Sequence, residues 1–227
     1  DLHSFPTRRS SDLWQNIVYE WLINGTSVSK EEKLVFTETA PNEYKVILKV
    51  TTKGGTSQAA FIIRVYGKYT YGTFVLSEGN MSNETGTLSF IDPEGASEDS
   101  IFYKANEGKK LGNVCQDMAI ANGKVYIISQ NGNKNGGLGK LVIADAGTLK
   151  MEAVVDAGLE GRTTNIAVPN DKYAYVVSVT KPKGIISIDL NTRKAGAPIP
   201  DTEEASKLKM ASIDGKLFAA EIGRAHV

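Results

Sequence analysis

Two sets of landmarks recur along the second half of this chain at a shared spacing, and nothing else in the sequence restricts the fold as tightly. The first is an apolar strand ending in an acidic residue and a turn: Leu88-Ser89-Phe90-Ile91-Asp92-Pro93-Glu94-Gly95, Leu141-Val142-Ile143-Ala144-Asp145-Ala146-Gly147-Thr148 and Ile185-Ile186-Ser187-Ile188-Asp189-Leu190-Asn191-Thr192. Their aspartates lie 53 and then 44 residues apart. The second set occupies 118–126, 166–175 and 211–218, where Lys124, Lys172 and Lys216 recur at 48 and 44. Roughly 40–50 residues holding four short strands is the period of a β-propeller blade. Burial is the physical reason. A four-stranded sheet with two apolar faces hides neither alone, so copies stack face to face. The aspartate closing each third strand is expected to form an Asx turn, accepting a nearby backbone N–H. Metal ligation by Asp92, Asp145 and Asp189 is set aside, since in separate blades they are too far apart to share an ion.

The spacing places innermost strands at 116–120, 164–168 and 209–213, and second strands at 72–77, 124–130, 172–179 and 216–220. Third strands fall at 87–91, 140–144 and 184–188, and fourth strands near 100–103, 151–155 and 194–199. Blades then span about 71–108, 114–158 and 163–207, with a further start at 209–220. The expected fold is all-β: a small Ig-like sandwich over 14–67, followed from 69 to 220 by an incomplete propeller of about three blades.

Both ends of the chain read differently. Residues 2–13 and 221–227 match in-frame translations of sequencing-library adapters, so they are left out of the fold reading. Both histidines, His3 and His226, fall there. Setting aside Arg8, Arg9 and Arg224 takes Lys+Arg from 26 to 23, and setting aside Asp1, Asp12 and Glu221 does the same for Asp+Glu. The balance stays at zero, which gives no steering toward nucleic acid. No apolar run approaches the roughly 18 residues of a membrane-spanning helix. Cys115 is the single cysteine, so no internal disulfide framework exists.

Over 14–67 the apolar residues alternate. Ile17, Tyr19 and Trp21 share one strand face, and Asn24-Gly25 supplies a tight hairpin turn. Further strands are expected at 33–37, at 44–50 with Tyr44, Val46, Leu48 and Val50 inward, and at 59–65, with Trp21 pinning the core. Tyr19-x-Trp21-x-x-x-Gly25 followed by Pro41-x-x-Tyr44-x-Val46-x-Leu48-x-Val50 resembles the PKD-type immunoglobulin-like module. Its first strand is missing here, and Ile23-Asn24-Gly25 stands where the family often has an Asp-rich turn. The resemblance implies a spacer or adhesion unit.

The propeller half resembles the YncE-like, surface-layer-type propellers of exported Bacteroidota proteins. The residues concerned are Phe74-Val75-Leu76-Ser77-Glu78-Gly79-Asn80, Leu111-Gly112-Asn113-Val114-Cys115-Gln116-Asp117-Met118 and Asn122-Gly123-Lys124-Val125-Tyr126. Some members of that group are surface lipoproteins that capture corrinoids and hand them to a TonB-dependent transporter. The resemblance therefore implies an exported, cell-surface binding protein with a small-molecule ligand. Loops joining second to third strands share a face with those joining successive blades. That face is expected to gather Glu78, Asn80, Gln116, Asp117, Asn131, Asn133, Asn135, Arg162 and Asn165, neutral amides suited to a polar ligand.

Enzyme signals are sparse. With both histidines in the excluded ends, no Ser-His-Asp triad or imidazole ligand set can be drawn. Cys115 reads as a buried small hydrophobe. No phosphate-binding glycine loop and no cofactor pattern is present. Glu78 with Asp117 is the one carboxylate pair that acid–base chemistry could use. Two other readings stay open: an adhesion or scaffold protein contacting proteins or glycans, and a propeller enzyme whose metal- or cofactor-binding residues lie in further blades.

Overall fold

The computed structural model describes residues 16–205 and 210–219, so both adapter-like ends lie outside the described residues. The chain divides into two compact units between Gly67 and Lys68.

In the first unit, β1 (Val18–Ile23), β2 (Thr26–Ser29), β3 (Asn42–Thr52) and β4 (Gly55–Val65) form an antiparallel sheet in the order β2-β1-β3-β4. Asn24 and Gly25 both hold positive φ, 49° and 86°, and the side chain of Asn24 accepts the Lys45 N–H at 2.9 Å. Tyr19, Trp21 and Ile23 stand opposite Val50, Leu48 and Val46, which in turn oppose Ser57, Ala59 and Phe61. One apolar face thus crosses the sheet.

Two expectations fail here. No strand forms at 33–37. The two-residue turn returns the chain at once, so β2 takes the free edge of β1, and the following segment crosses as irregular chain. Phe36 in that segment meets Tyr44 edge-on at 5.4 Å. Trp21 does not pin the core either. It is half-buried, with its indole N–H donating to the Glu31 carbonyl, while Tyr44 and Val46 are the buried pair.

In the second unit, sheets succeed one another along the chain as simple meanders. The first holds β5 (Thr73–Ser77), β6 (Thr87–Ile91) and β7 (Ser97–Glu98), and is followed by a short helix, α1 (Ile101–Ala105). Next come β8 (Asn113–Ala121), β9 (Lys124–Gly132), β10 (Leu141–Asp145) and β11 (Met151–Val155). The third blade is β12 (Thr163–Ala167), β13 (Tyr173–Ser178), β14 (Gly184–Asp189) and β15 (Lys194–Pro198). A fourth is begun by β16 (Ala211–Ile213) and β17 (Lys216–Phe218); Lys209 and Ala220 of the expected strands lie outside the described residues. The chain is therefore all-β, an Ig-like PKD-type module followed by propeller blades.

The stacking argument is visible residue by residue. In β9, Val125 and Ile127 join a core with Leu88, Phe90 and Phe102 of the first blade. Tyr126 and Ile128, one residue out of step, join a separate core with Ile166, Val176, Ile186 and Ile188 of the third. The strand's period of two divides its side chains between two neighbours. Each fully buried aliphatic side chain contributes about 1.5–3 kcal/mol, so neither face of the central blade can be left open.

Asp145 and Asp189 form the expected Asx turns, while Asp92 accepts from a backbone N–H four residues on. Asp145 Oδ1 accepts from Gly147 N, Thr148 N and Thr148 Oγ1, Asp189 Oδ1 from Asn191 N and Thr192 N, and Asp92 Oδ1 from Ala96 N. The fourth strand expected near 100–103 is instead helix α1. Ile101 and Phe102 are both buried, and consecutive inward side chains suit a helical turn rather than a strand with one exposed face. Asn106 anchors it, donating to Phe102 O and to Leu149 O in the next blade and accepting from Met151 N.

Candidate functional site

The face built from second-to-third-strand loops and blade connections carries most of the side chains singled out from sequence. Its centre is Asn113, with 0% exposure. Its amide donates to Asn80 O at 2.7 Å and Glu84 O at 2.5 Å, and its Oδ1 accepts from Asn131 Nδ2 at 2.9 Å. Asn80 organises its own loop, accepting from Ser82 N and Asn83 N and donating to Glu84 Oε2. Asn135 lies beside the group; with its amide turned over, it donates to Ser82 O at 3.2 Å and accepts from Asn83 N at 3.3 Å. Beside it, Gln116 Nε2 donates to Glu78 Oε1 at 2.7 Å. Asn113 was quoted in the family likeness but not among the site residues; its burial between two polar loops is invisible in a linear sequence.

The structure thus joins Asn80 and Asn131 through Asn113, sets Asn135 beside them, and pairs Glu78 with Gln116. Asn133 and Arg162 are exposed, and neither side chain has a bonded partner among the described residues. Asp117, at the seam between the second and third blades, and Asn165 are both buried. Asp117 Oδ2 accepts the backbone N–H of Ile166 at 3.2 Å. This separates Asp117 in role from Glu78.

The seams differ in an informative way. The innermost strands of the second and third blades carry a bulge at the same place: Cys115–Asp117 in β8 and Thr163–Asn165 in β12. Gln116 and Thr164 are the extra residues. Gln116 is long enough to reach Glu78, which follows Ser77. At the next seam the counterparts are Thr164 and Gln130, which follows Ser129. Here Thr164 Oγ1 and Gln130 Oε1 are buried without partners among the described residues, and Asn165 Oδ1 is likewise unbonded. Unpaired buried acceptors are uncommon and each costs about 1–3 kcal/mol. Lys140 closes this seam from the side, donating to Gln130 O at 2.5 Å and Gly161 O at 2.7 Å. Burial pulls its ammonium below the usual lysine range, partly offset by Asp156 and Glu160.

Cys115 is buried, its thiol donating to Gly112 O, and burial pushes its pKa up to about 12. The thiol is therefore protonated at neutral pH. Among the described residues no three His, Cys, Asp or Glu side chains cluster to hold a metal ion. No described helix is long and apolar enough to cross a membrane. What the face offers is fixed amide dipoles, a Glu–Gln pair and an unpaired guanidinium. That is hydrogen-bonding chemistry.

Fold and face together define an all-β chain with a PKD-type module and a propeller whose loop face is lined by amides. Residues 71–226 match the family described as "Domain of unknown function (DUF5074)", and the chain belongs to that family. Residues 10–52 match the PKD-like domain. Among solved structures, a quinonprotein alcohol dehydrogenase-like protein from Bacteroides thetaiotaomicron VPI-5482 is 24% identical over 80% of this chain and 41% of its own, with a TM-score of 0.42. Apo AztD from Citrobacter koseri is 15% identical over 70% of this chain and 46% of its own, with a TM-score of 0.34. A second AztD structure from that organism is 14% identical over 79% and 51%, again with a TM-score of 0.34. The chain spans about half the length of these structures or less. No curated protein matches the sequence.

Proposed function

We propose that this chain is part of an exported, non-catalytic binding protein of the cell surface, in which the propeller's loop face captures a small polar ligand and the PKD-type module is a spacer. The observation that carries this reading is the buried Asn113, bonded to Asn80, Glu84 and Asn131. These bonds fix two loops before any ligand arrives, so capture costs less ordering. Gln116, Asn133 and Arg162 are left at the rim to contact it. The ligand class that the family likeness favours is a corrinoid, whose neutral amide side chains pair with protein amides, and the receiver is a TonB-dependent transporter. The test is titration of cobalamin into the full-length protein, followed by absorbance and calorimetry. Saturable binding that weakens in Gln116→Ala and Asn133→Ala is expected; a flat titration removes the corrinoid. A protein or glycan partner captured with the loop face ligand-free points instead to the adhesion reading.

A further inference from the structure

At the other end of the strands, the seam between the second and third blades opens into a groove, and it compares with the preceding seam at one backbone position. Four residues after Asp145 and after Asp189 the chain adopts a left-handed conformation: Leu149 at φ 57° and Arg193 at φ 58°. Leu149 is fully buried in the core between the first and second blades, and Asn106 of the α1 connection covers it, donating to its carbonyl. The equivalent space one seam later receives no apolar plug. There Arg193 lines a cavity of about 310 Å³.

The lining has two parts. Ile143, Ala153 and Leu190 give an apolar wall. Lys124 and Glu152 are bonded to each other across it. Asn122, Tyr126, Asn191, Asp171 and Arg193 complete the lining; the last two are exposed, and among the described residues neither side chain has a hydrogen-bonded or ionic partner. An exposed cation and an exposed anion that do not pair with each other line one apolar-backed space. The volume falls within the roughly 300–1,000 Å³ of small-molecule pockets.

We infer that this groove is a second binding site, separate from the loop face, for a small zwitterion of the α-amino acid or dipeptide type. Its carboxylate is taken by the Arg193 fork and its ammonium by Asp171, and its side chain lies against Ile143, Ala153 and Leu190. Arginine suits the first role because its planar fork matches a carboxylate. The arrangement rejects singly charged analogues, since each leaves one protein charge unanswered.

The test is calorimetric titration of the full chain with the free amino acids singly and with Ala-Ala. The best ligand is then repeated as its N-acetyl and carboxamide derivatives. Arg193→Asn tolerates the left-handed φ and Asp171→Asn keeps the side-chain shape, so both variants are expected to fold. The expected result is saturable binding that falls about tenfold or more with either derivative and either variant, the size of one charge-assisted hydrogen bond. Arg193→Lys retains part of the affinity. Absence of saturable binding by any amino acid or by Ala-Ala at millimolar concentration overturns the inference. So does binding indifferent to both variants.

Discussion

Replacing Asn113 tests the organisation of the loop face most directly. In Asn113→Ala three hydrogen bonds disappear, at 2.7, 2.5 and 2.9 Å. At a net value near 1 kcal/mol each, the loss is about 3 kcal/mol. For a unit of this size that lowers the thermal midpoint by roughly 6–12 °C. Asn113→Asp discriminates further. It keeps the acceptor for Asn131 but sets a carboxylate against the carbonyls of Asn80 and Glu84, so it falls below the alanine variant despite its near-identical shape. Urea unfolding of the propeller unit gives the order wild type, Ala, Asp. Amide hydrogen exchange shows where protection is lost, namely in the loop 78–86. An aspartate variant as stable as wild type would falsify the donor role assigned to this amide.

Two further outcomes follow from the ionisable groups. Hydrogen bonds from Thr148 and Gly147 hold the Asp145 carboxyl below its ordinary range, and Thr192 and Asn191 do the same for Asp189. Depressed carboxyls contribute stability that is complete above the unfolded-state pKa and lost as pH falls through the folded one. Acid unfolding between roughly pH 4 and pH 2 is therefore shallower in the Asp145→Asn, Asp189→Asn double variant, which keeps the turns but cannot titrate; an unchanged acid slope refutes the turn assignment. The Cys115 thiol, raised to about 12 by burial, resists a disulfide reagent at pH 8 in the native protein and reacts promptly in denaturant, whereas fast native labelling contradicts its packing.

Much of the propeller half was legible before the structure. The strands expected at 87–91 and 151–155 appear with those bounds as β6 and β11, because alternating apolar residues end there at turn-forming side chains. The misreadings share a cause. The apolar residues at 100–103 and 33–37 resemble short strands, but strand or helix is decided by which edges remain free. Around Phe36 the Asn24-Gly25 turn had already supplied β2 as a partner for β1. Near Phe102, a buried pair anchored by Asn106 formed a helical turn instead. Trp21 was misjudged because size was taken for burial. On the loop face, topology tells which loops converge, and Glu78 and Gln116 on two of them are bonded to each other. It did not tell which amide the loops would close over, and Asn113 went unnoticed.

The repeat itself explains why local chemistry resists such reading. Successive blades keep the backbone and change the side chain. The bulge holding Gln116 at one seam holds Thr164 at the next, and a direct bond to Glu78 is replaced by unpaired Gln130 and Thr164 oxygens. One residue on, Asp117 is followed 48 positions later by Asn165. Asp117 accepts from Ile166 N in the following blade. At the opposite end, Leu149 gives way to Arg193, and a filled seam becomes an open one. Stacking demands only that the strand interiors stay apolar. The bulge and the left-handed turn sit at the strand ends, outside that demand, and there each seam is free to acquire chemistry of its own.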